Sequence, residues 1–329
     1  MKNRNVVVIG ASMGGVEALT RLLRGLPADF PAGICIVLHI AAGSSATLAA
    51  SFDRHCALPV ATAKDAENFS EGHVYLAPPD QHLILKDDHL RLFRGPRENC
   101  VRPAIDPLFR SAGAEYGARV IGVVLTGLLN DGSSGLAAIK RCGGVAVIQD
   151  PDEAAFPDMP VNAQRATDVD YSEALDDLPE LLNRLVREEA AVSPKVPEDI
   201  RLEVDIAERI MSNVPRENTL GQPAPLGCPE CGGPLWEMDD AAVKRYRCHV
   251  GHGYTAETLL ADQSDAVEKA LWVALRTLEE RARMLRGMAD NERERGRKHT
   301  LVGYDKRAEE AEEHAASIRS LLLSGLRAA

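Results

Sequence analysis

Apolar and polar positions along the chain fall into two regimes. Up to about residue 190, short β-branched runs alternate with amphipathic stretches. Val6–Ile9, Ile34–Leu38, Val74–Ala77, Val120–Leu125 and Val145–Ile148 are almost wholly apolar. Such runs mark strands buried on both faces. Between them, Val16–Leu26, Ser45–Arg54, Pro107–Tyr116, Gly135–Arg141 and the stretch from about Leu178 to Glu189 carry helical spacing. Leu83–Leu85 and Leu90–Phe93 are expected to pair as a hairpin across Asp87-Asp88. Strands alternating with helices predict an α/β fold, a doubly wound and mostly parallel sheet covered on both faces.

After Ala190 the pattern breaks. Pro194, Pro197, Pro215, Pro223 and Pro225 interrupt any long element, which predicts a linker over 188–226 with one short helix near Ile206–Met211. Residues 227–254 form a compact Cys/His unit. Beyond Thr255 the helical period returns in Val267, Leu271, Ala274, Leu278, Leu285 and Met288, and again in Ala308, Ala311, Ala315, Ile318 and Leu322. The polar break around Gly296–Gly303 predicts that these two helices fold back as a hairpin over 255–329. The organisation expected is an α/β domain over 1–187, a linker, a zinc-ribbon-like unit and a helical hairpin.

Composition narrows the class. Of 329 residues, 45% are hydrophobic and 26% charged, and the formal net charge is -11. That balance speaks for a globular protein and against a nucleic-acid surface, which needs a concentrated basic patch. Lys244, Arg245 and Arg247 are locally basic, with acidic Glu237, Asp239 and Asp240 just before them. No apolar run approaches the roughly 18 residues of a membrane helix. Met-Lys-Asn-Arg leads straight into the first strand and leaves no room for a signal peptide, so a cytoplasmic protein without membrane insertion is expected. Cys35, Cys56, Cys100 and Cys142 are scattered as reduced thiols would be, whereas Cys228, Cys231 and Cys248 cluster.

The first strand runs into a glycine turn in VVVIGASMGGVEAL. A dinucleotide site would need the spacing G-x-G-x-x-G, which Gly10, Gly14 and Gly15 do not meet, and an acidic residue at the end of the second strand. That strand ends instead in VLHI, with His39. The strand Val120–Leu125 runs into TGLLNDGSSG and places Asp131 in a glycine-flanked loop. In a parallel sheet these three strand ends share one edge. Ser12 is then a candidate nucleophile, His39 its general base and Asp131 the group that orients the imidazole. Amides at the start of the following helix, at Met13, or in the loop at Leu128 are candidates for stabilising an oxyanion. Taken singly, each residue has a plainer role: a small turn residue, a core histidine, a turn or cap aspartate.

Together the segments VVVIGASMGGVEAL, IVLHIAAG, VYLAPPDQHLIL, VRPAIDPLFRSA and VLTGLLNDGSSGL resemble the catalytic domain of the chemotaxis protein-glutamate methylesterases, the CheB-type family, over residues 1–187. The resemblance implies a serine esterase with Ser12, His39 and Asp131 as its triad and Leu128 at the proposed oxyanion amide. It implies hydrolysis of γ-glutamyl methyl esters on methylated chemoreceptor-like proteins, in some members also deamidation of glutamine, with no catalytic cofactor. Met13 stands where the family usually has threonine, Leu38 where it often has glutamine, and Leu128 where it usually has methionine. Family members often carry an N-terminal receiver domain. This chain opens on the catalytic strand, so the expectation is control by a separate response regulator or another signalling protein, or no such control. The competing readings are a receptor-binding module of the same fold with weak or no catalysis, and a nucleotide-binding regulator.

In LGCPECGGPLWEMDDAAVKRYRCHVGHGY, Cys228 and Cys231 form one knuckle and Cys248 and His252 a second. Three thiolates and an imidazole at this spacing predict a closed, structural zinc site. His249 is the competing fourth ligand. Trp236 and Tyr246 are expected to form the core of the ribbon.

Overall fold

The computed structural model describes residues 3–39, 45–209, 221–238 and 243–324. The chain forms two units, Met1–Leu259 and Leu260–Ala329. In the first, β1 (Val6–Ala11), α1 (Gly15–Arg24), β2 (Gly33–Leu38), α2 (Ser45–Asp53), β3 (Val60–Thr62), β4 (Glu67–Asn68) and β5 (Val74–Leu76) lead to the hairpin β6 (His82–Lys86) and β7 (His89–Phe93). There follow α3 (Ile105–Tyr116), β8 (Val120–Val124), α4 (Ser133–Arg141), β9 (Val145–Gln149), α5 (Asp158–Ala166), β10 (Tyr171–Glu173), α6 (Leu178–Leu185) and α7 (Glu198–Arg209). The Cys/His unit contributes β11 (Gln222–Gly227), β12 (Pro234–Met238), β13 (Arg245–Cys248) and β14 (Gly253–Thr255), and α8 (Ala256–Glu294) begins directly after it.

Seven parallel strands make the main sheet in the order β10-β9-β8-β1-β2-β5-β3. β1 is central. The chain winds outward from it through β2, then returns to β8 on its other side and winds away through β9. A parallel sheet opens a crevice at the carboxyl ends of strands where the winding reverses. Side chains alternate between two cores. Val7, Ile9 and Ala11 meet Leu19 and Leu22 of α1, Phe52 of α2 and Leu182 of α6. Val6 and Val8 meet Leu108 and Phe109 of α3, Leu136 and Ile139 of α4 and Met159 of α5. Each such buried side chain contributes roughly 1.5–3 kcal/mol of transfer free energy. The β6–β7 hairpin turns at Asp87 and Asp88, whose φ values of 49° and 58° suit a two-residue mirror-image turn.

The structure adds elements that hydropathy did not signal. α5 reads poorly because of Pro160, yet proline is tolerated in a first helical turn, where the missing N–H costs no bond. The stretch expected to be a linker carries α7, which starts at Glu198, earlier than the short helix anticipated; residues 210–220 lie outside the described ones. Ile200 is buried against Ala138 and Cys142, so this segment packs on the domain.

The Cys/His unit is a four-stranded antiparallel sheet in chain order. Its core holds Tyr246, as expected, with Leu235, Tyr254 and Leu259. Trp236 is only half-buried. The register pairs Leu235 with Cys248 and Trp236 with Arg247, so Leu235 takes the inner face. Arg245 and Arg247 are not surface cations. Both are buried, and with Arg110 of α3 they surround Glu98 and Glu203.

In the second unit, α8 and α9 (Lys298–Ser324) run antiparallel, with Arg286 paired to Glu312 and Arg319 to Glu279. Ala282, Ala289, Ala308, Ala311 and Ala315 are buried and let the helices approach. The turn holds Gly296 at φ 69°. No helix among the described residues is long and apolar enough to cross a membrane.

Candidate active site

Ser12 follows β1, His39 follows β2 and Asp131 follows β8, so all three stand at the crevice edge of the sheet. Gly14, at φ 77°, takes the left-handed turn that starts α1 just past Ser12. Gly127 brings its backbone against the serine: a Cβ there would lie 2.7 Å from Ser12 Cβ and 2.1 Å from Met159 Sδ. The Ser12 N–H donates to the Thr126 carbonyl at 3.0 Å, which ties the two turns together. The β8–α4 loop is itself braced by α5, through Met159 N–H to the Gly127 carbonyl and Asn162 Nδ2 to the Leu129 carbonyl.

The three side chains form one hydrogen-bonded line. His39 Nδ1 lies 3.1 Å from Ser12 Oγ, and His39 Nε2 lies 2.9 Å from Asp131 Oδ2. Asp131 also accepts from the Ile105 N–H at 2.6 Å and from Asn99 Nδ2 at 2.8 Å. Burial alone would raise its pKa; His39, the Ile105 amide and Asn99 outweigh that and hold the carboxyl below the usual range. An ionised carboxylate only accepts, so Nε2 carries the proton and donates it to Asp131. Nδ1 is then the acceptor for the Ser12 hydroxyl.

Asp106, at the start of α3, sits beside this line. Its Oδ1 accepts the N–H groups of Gly132 and Gly135 at 3.0 and 2.7 Å. Burial, reinforced by the charge of Asp131, pushes its carboxyl up to about 7. Sequence reasoning passed over Asp106 and Asn99. Their signal was positional: both fall in or next to VRPAIDPLFRSA, one of the segments that carry the resemblance.

Met13 and Leu128 flank the serine with half-exposed side chains, 51% and 43% accessible. The Met13 carbonyl accepts from Thr126 Oγ at 3.1 Å, fixing the peptide that follows Ser12.

The four residues expected to bind metal also converge. The ligand atoms of Cys228, Cys231, Cys248 and His252 lie within 4.8 Å of one another. Cys231 and Cys248 sulfurs are 3.7 Å apart, and His252 Nδ1 is 3.7 Å from Cys228 Sγ and 3.5 Å from Cys248 Sγ. A tetrahedral zinc with bonds of about 2.0–2.3 Å requires edges of about 3.5–3.8 Å. Glu230 Oε2 lies 3.1 Å from His252 Nε2, the arrangement that orients a ligating imidazole. His249 is exposed and outside the group.

Comparison with known proteins agrees with this reading of the α/β domain. The family described as CheB methylesterase matches residues 7–182. A Leptospira interrogans relative is 41% identical over 184 residues, which is 56% of this chain and 95% of that protein. A protein-glutamate methylesterase/protein-glutamine glutaminase of Anaeromyxobacter dehalogenans is 42% identical over 182 residues, 55% of this chain and 53% of that protein. The crystal structure of the Thermotoga maritima CheB methylesterase catalytic domain superposes with a TM-score of 0.54 at 34% identity, covering 56% of this chain and all of that one. The chain therefore belongs to the CheB methylesterase family.

Proposed function

We propose that this protein hydrolyses γ-glutamyl methyl esters on methylated chemoreceptor-like proteins, with Ser12 as nucleophile, His39 as general base and acid, and Asp131 as the orienting carboxylate. The hydrogen-bonded line from Ser12 Oγ through His39 to Asp131 Oδ2 carries the reading. Ser12 Oγ attacks the ester carbonyl while His39 Nδ1 takes its proton. The imidazolium returns that proton to the departing methoxide, releasing methanol and leaving an acyl-serine. Water, deprotonated by His39, then frees glutamate and restores Ser12. A carboxamide in place of the ester passes through the same steps and releases ammonia, so glutamine deamidation is within reach of the same groups. Amides at Met13 and Leu128 are the candidate donors to the oxyanion. None of these steps calls for a cofactor.

The proposed setting is the cytoplasm, in chemotaxis-type adaptation. The Cys228, Cys231, Cys248 and His252 group is proposed to hold a structural zinc ion; four protein ligands leave no open position for substrate.

The test is methanol release from a methylated chemoreceptor fragment by wild type and by Ser12→Ala. Release that disappears in the folded variant supports the reading, and near-normal turnover by Ser12→Ala overturns it. Receptor binding without release by either protein favours the non-catalytic module.

A further inference from the structure

The loop that carries Asn99 is fastened to the Cys/His unit. Gly253 directly follows His252; its carbonyl accepts the Asn99 N–H at 2.8 Å, and its own N–H donates to the Arg97 carbonyl at 3.2 Å. Asn99 Oδ1 accepts from the Thr255 N–H at 3.3 Å and from Thr258 Oγ at 3.4 Å. With its oxygen held there, the amide turns Nδ2 the other way. Nδ2 then donates to Asp131 Oδ1 at 2.8 Å and to Asp106 Oδ2 at 2.9 Å. Turning the amide over would aim its oxygen at two carboxyl groups.

Asn130, the residue before Asp131, meets the same threonine. Its Oδ1 accepts from Thr255 Oγ at 3.0 Å, and its Nδ2 donates to Glu257 Oε2 at 2.9 Å. Thr255 and Thr258 also cap α8 reciprocally: each hydroxyl accepts the other's N–H, at 2.9 and 3.2 Å. The start of this helix is therefore a fixed reference against which Asn99 and Asn130 are both set.

We infer that the Cys/His unit is a positioning element of the Ser12 site: Thr255 and Thr258 set Asn99 and Asn130, and these set the Asp131 carboxylate against His39. The inference rests on the esterase reading. Neither threonine touches a reacting atom. Their effect passes through the aim of one carboxylate, so it falls on turnover and leaves substrate contacts alone.

The experiment uses the full chain and a fluorophosphonate probe, which reads serine reactivity whatever the natural substrate. Ser12 Oγ bonds to phosphorus, the P–F bond breaks, fluoride leaves and the serine proton passes to His39. Wild type is expected to label and Ser12→Ala to resist. Asn99→Ala and Thr255→Val are expected to label roughly tenfold more slowly or worse, since misplaced catalytic groups lose up to about a hundredfold. Thr255→Ser keeps the hydroxyl and the cap and is expected to label at close to the wild-type rate. In ester hydrolysis kcat falls in parallel while KM stays within about twofold. The downfield proton resonance of His39 Nε2–H is expected to move in the slow variants and to stay in Thr255→Ser, a signature that mere stabilisation would not alter. Should Thr255→Val not fold, Thr258→Val and Asn99→Ala carry the comparison. Wild-type labelling with unchanged rate and resonance in the folded variants overturns the positioning role and leaves the esterase standing. Equal loss in Thr255→Val and Thr255→Ser also overturns it. No labelling of wild type overturns both.

Discussion

Glu203 of α7 and Arg245 of β13 meet as a buried pair, the carboxylate almost fully enclosed and the guanidinium nitrogens on both of its oxygens. One partner comes from the segment expected to be a linker and the other from the Cys/His unit. Arg110 and Arg247 close on the same carboxylate. Glu203→Ala would remove the carboxylate that Arg110, Arg245 and Arg247 share and leave Glu98 as the remaining acid of the cluster. Breaking a buried pair by removing one partner costs about 3–5 kcal/mol. The expected result is a lower urea midpoint with Glu203→Ala falling further than Glu203→Gln; an unchanged midpoint in both would show that the pair does not hold the segments together.

The same cluster predicts loss of stability in acid. Burial pushes the Glu98 and Glu203 carboxyls upward, but Arg110 and Arg247 outweigh this for Glu98, and Arg245, Arg110 and Arg247 for Glu203. Glu98 is held at about 2 and Glu203 also lies far below its ordinary value. A depressed carboxyl stabilises the fold above its unfolded pKa, and that contribution fades as pH falls toward the folded one. The window therefore opens near pH ~4.3 and runs down to about 2. His82 acts earlier and in the same direction: burial lowers its pKa, so acid must force a charge into the core below pH ~6.5. Asp106, raised to about 7, opposes His82 by taking up its own proton as pH falls from 7 toward ~4, so melting temperatures are expected to change little down to pH ~5 and to drop steeply below pH ~4. A flat profile down to pH 3 would contradict the arrangement.

Much of the α/β domain was legible because its strands are buried on both faces and its helices on one, which imposes distinct periods on the sequence. Ser12, His39 and Asp131 were legible because each ends a recognisable strand. Asn99 was not: it sits at φ 52° in a loop with no period, and the threonines that hold its oxygen lie 156 and 159 positions away. The burial of Arg245 and Arg247 was illegible for a related reason. On a strand buried along its whole length, charge in the sequence says nothing of exposure until the counter-ions on α7 and before α3 are placed. Pro194 and Pro197 likewise concealed α7, since both precede its first turn and interrupt nothing.

Gly127 offers a test of the site that removes no polar group. A methyl group there would stand 2.7 Å from Ser12 Cβ and closer still to Met159 Sδ. Met159 is flexible and can yield, whereas Ser12 is held by its own backbone. Gly127→Ala is therefore expected to displace Ser12. Turnover should fall by about tenfold to a hundredfold for a shift approaching 1 Å, with stability lowered by only about 1–3 kcal/mol from crowding of the buried Met159. Normal kcat in that variant would mean that the loop yields and the serine does not.

Metal removal tests the Cys/His unit directly. Three thiols gathered with an imidazole have no apolar core large enough to hold four short strands: Leu235, Tyr246, Tyr254 and Leu259 are its main apolar side chains. Small units of this kind draw much of their folding free energy from the metal. One equivalent of zinc is expected by elemental analysis, and Cys231→Ser should lower it. Chelation is expected to lower the melting temperature and to expose the segment after His252 to proteolysis, while the central sheet from β10 to β3 retains slow amide exchange. Because Gly253 follows His252 and holds Asn99, fluorophosphonate labelling of Ser12 should slow in the same titration and recover when zinc is restored. Zinc loss with unchanged proteolysis and labelling would show that the unit stands without its metal.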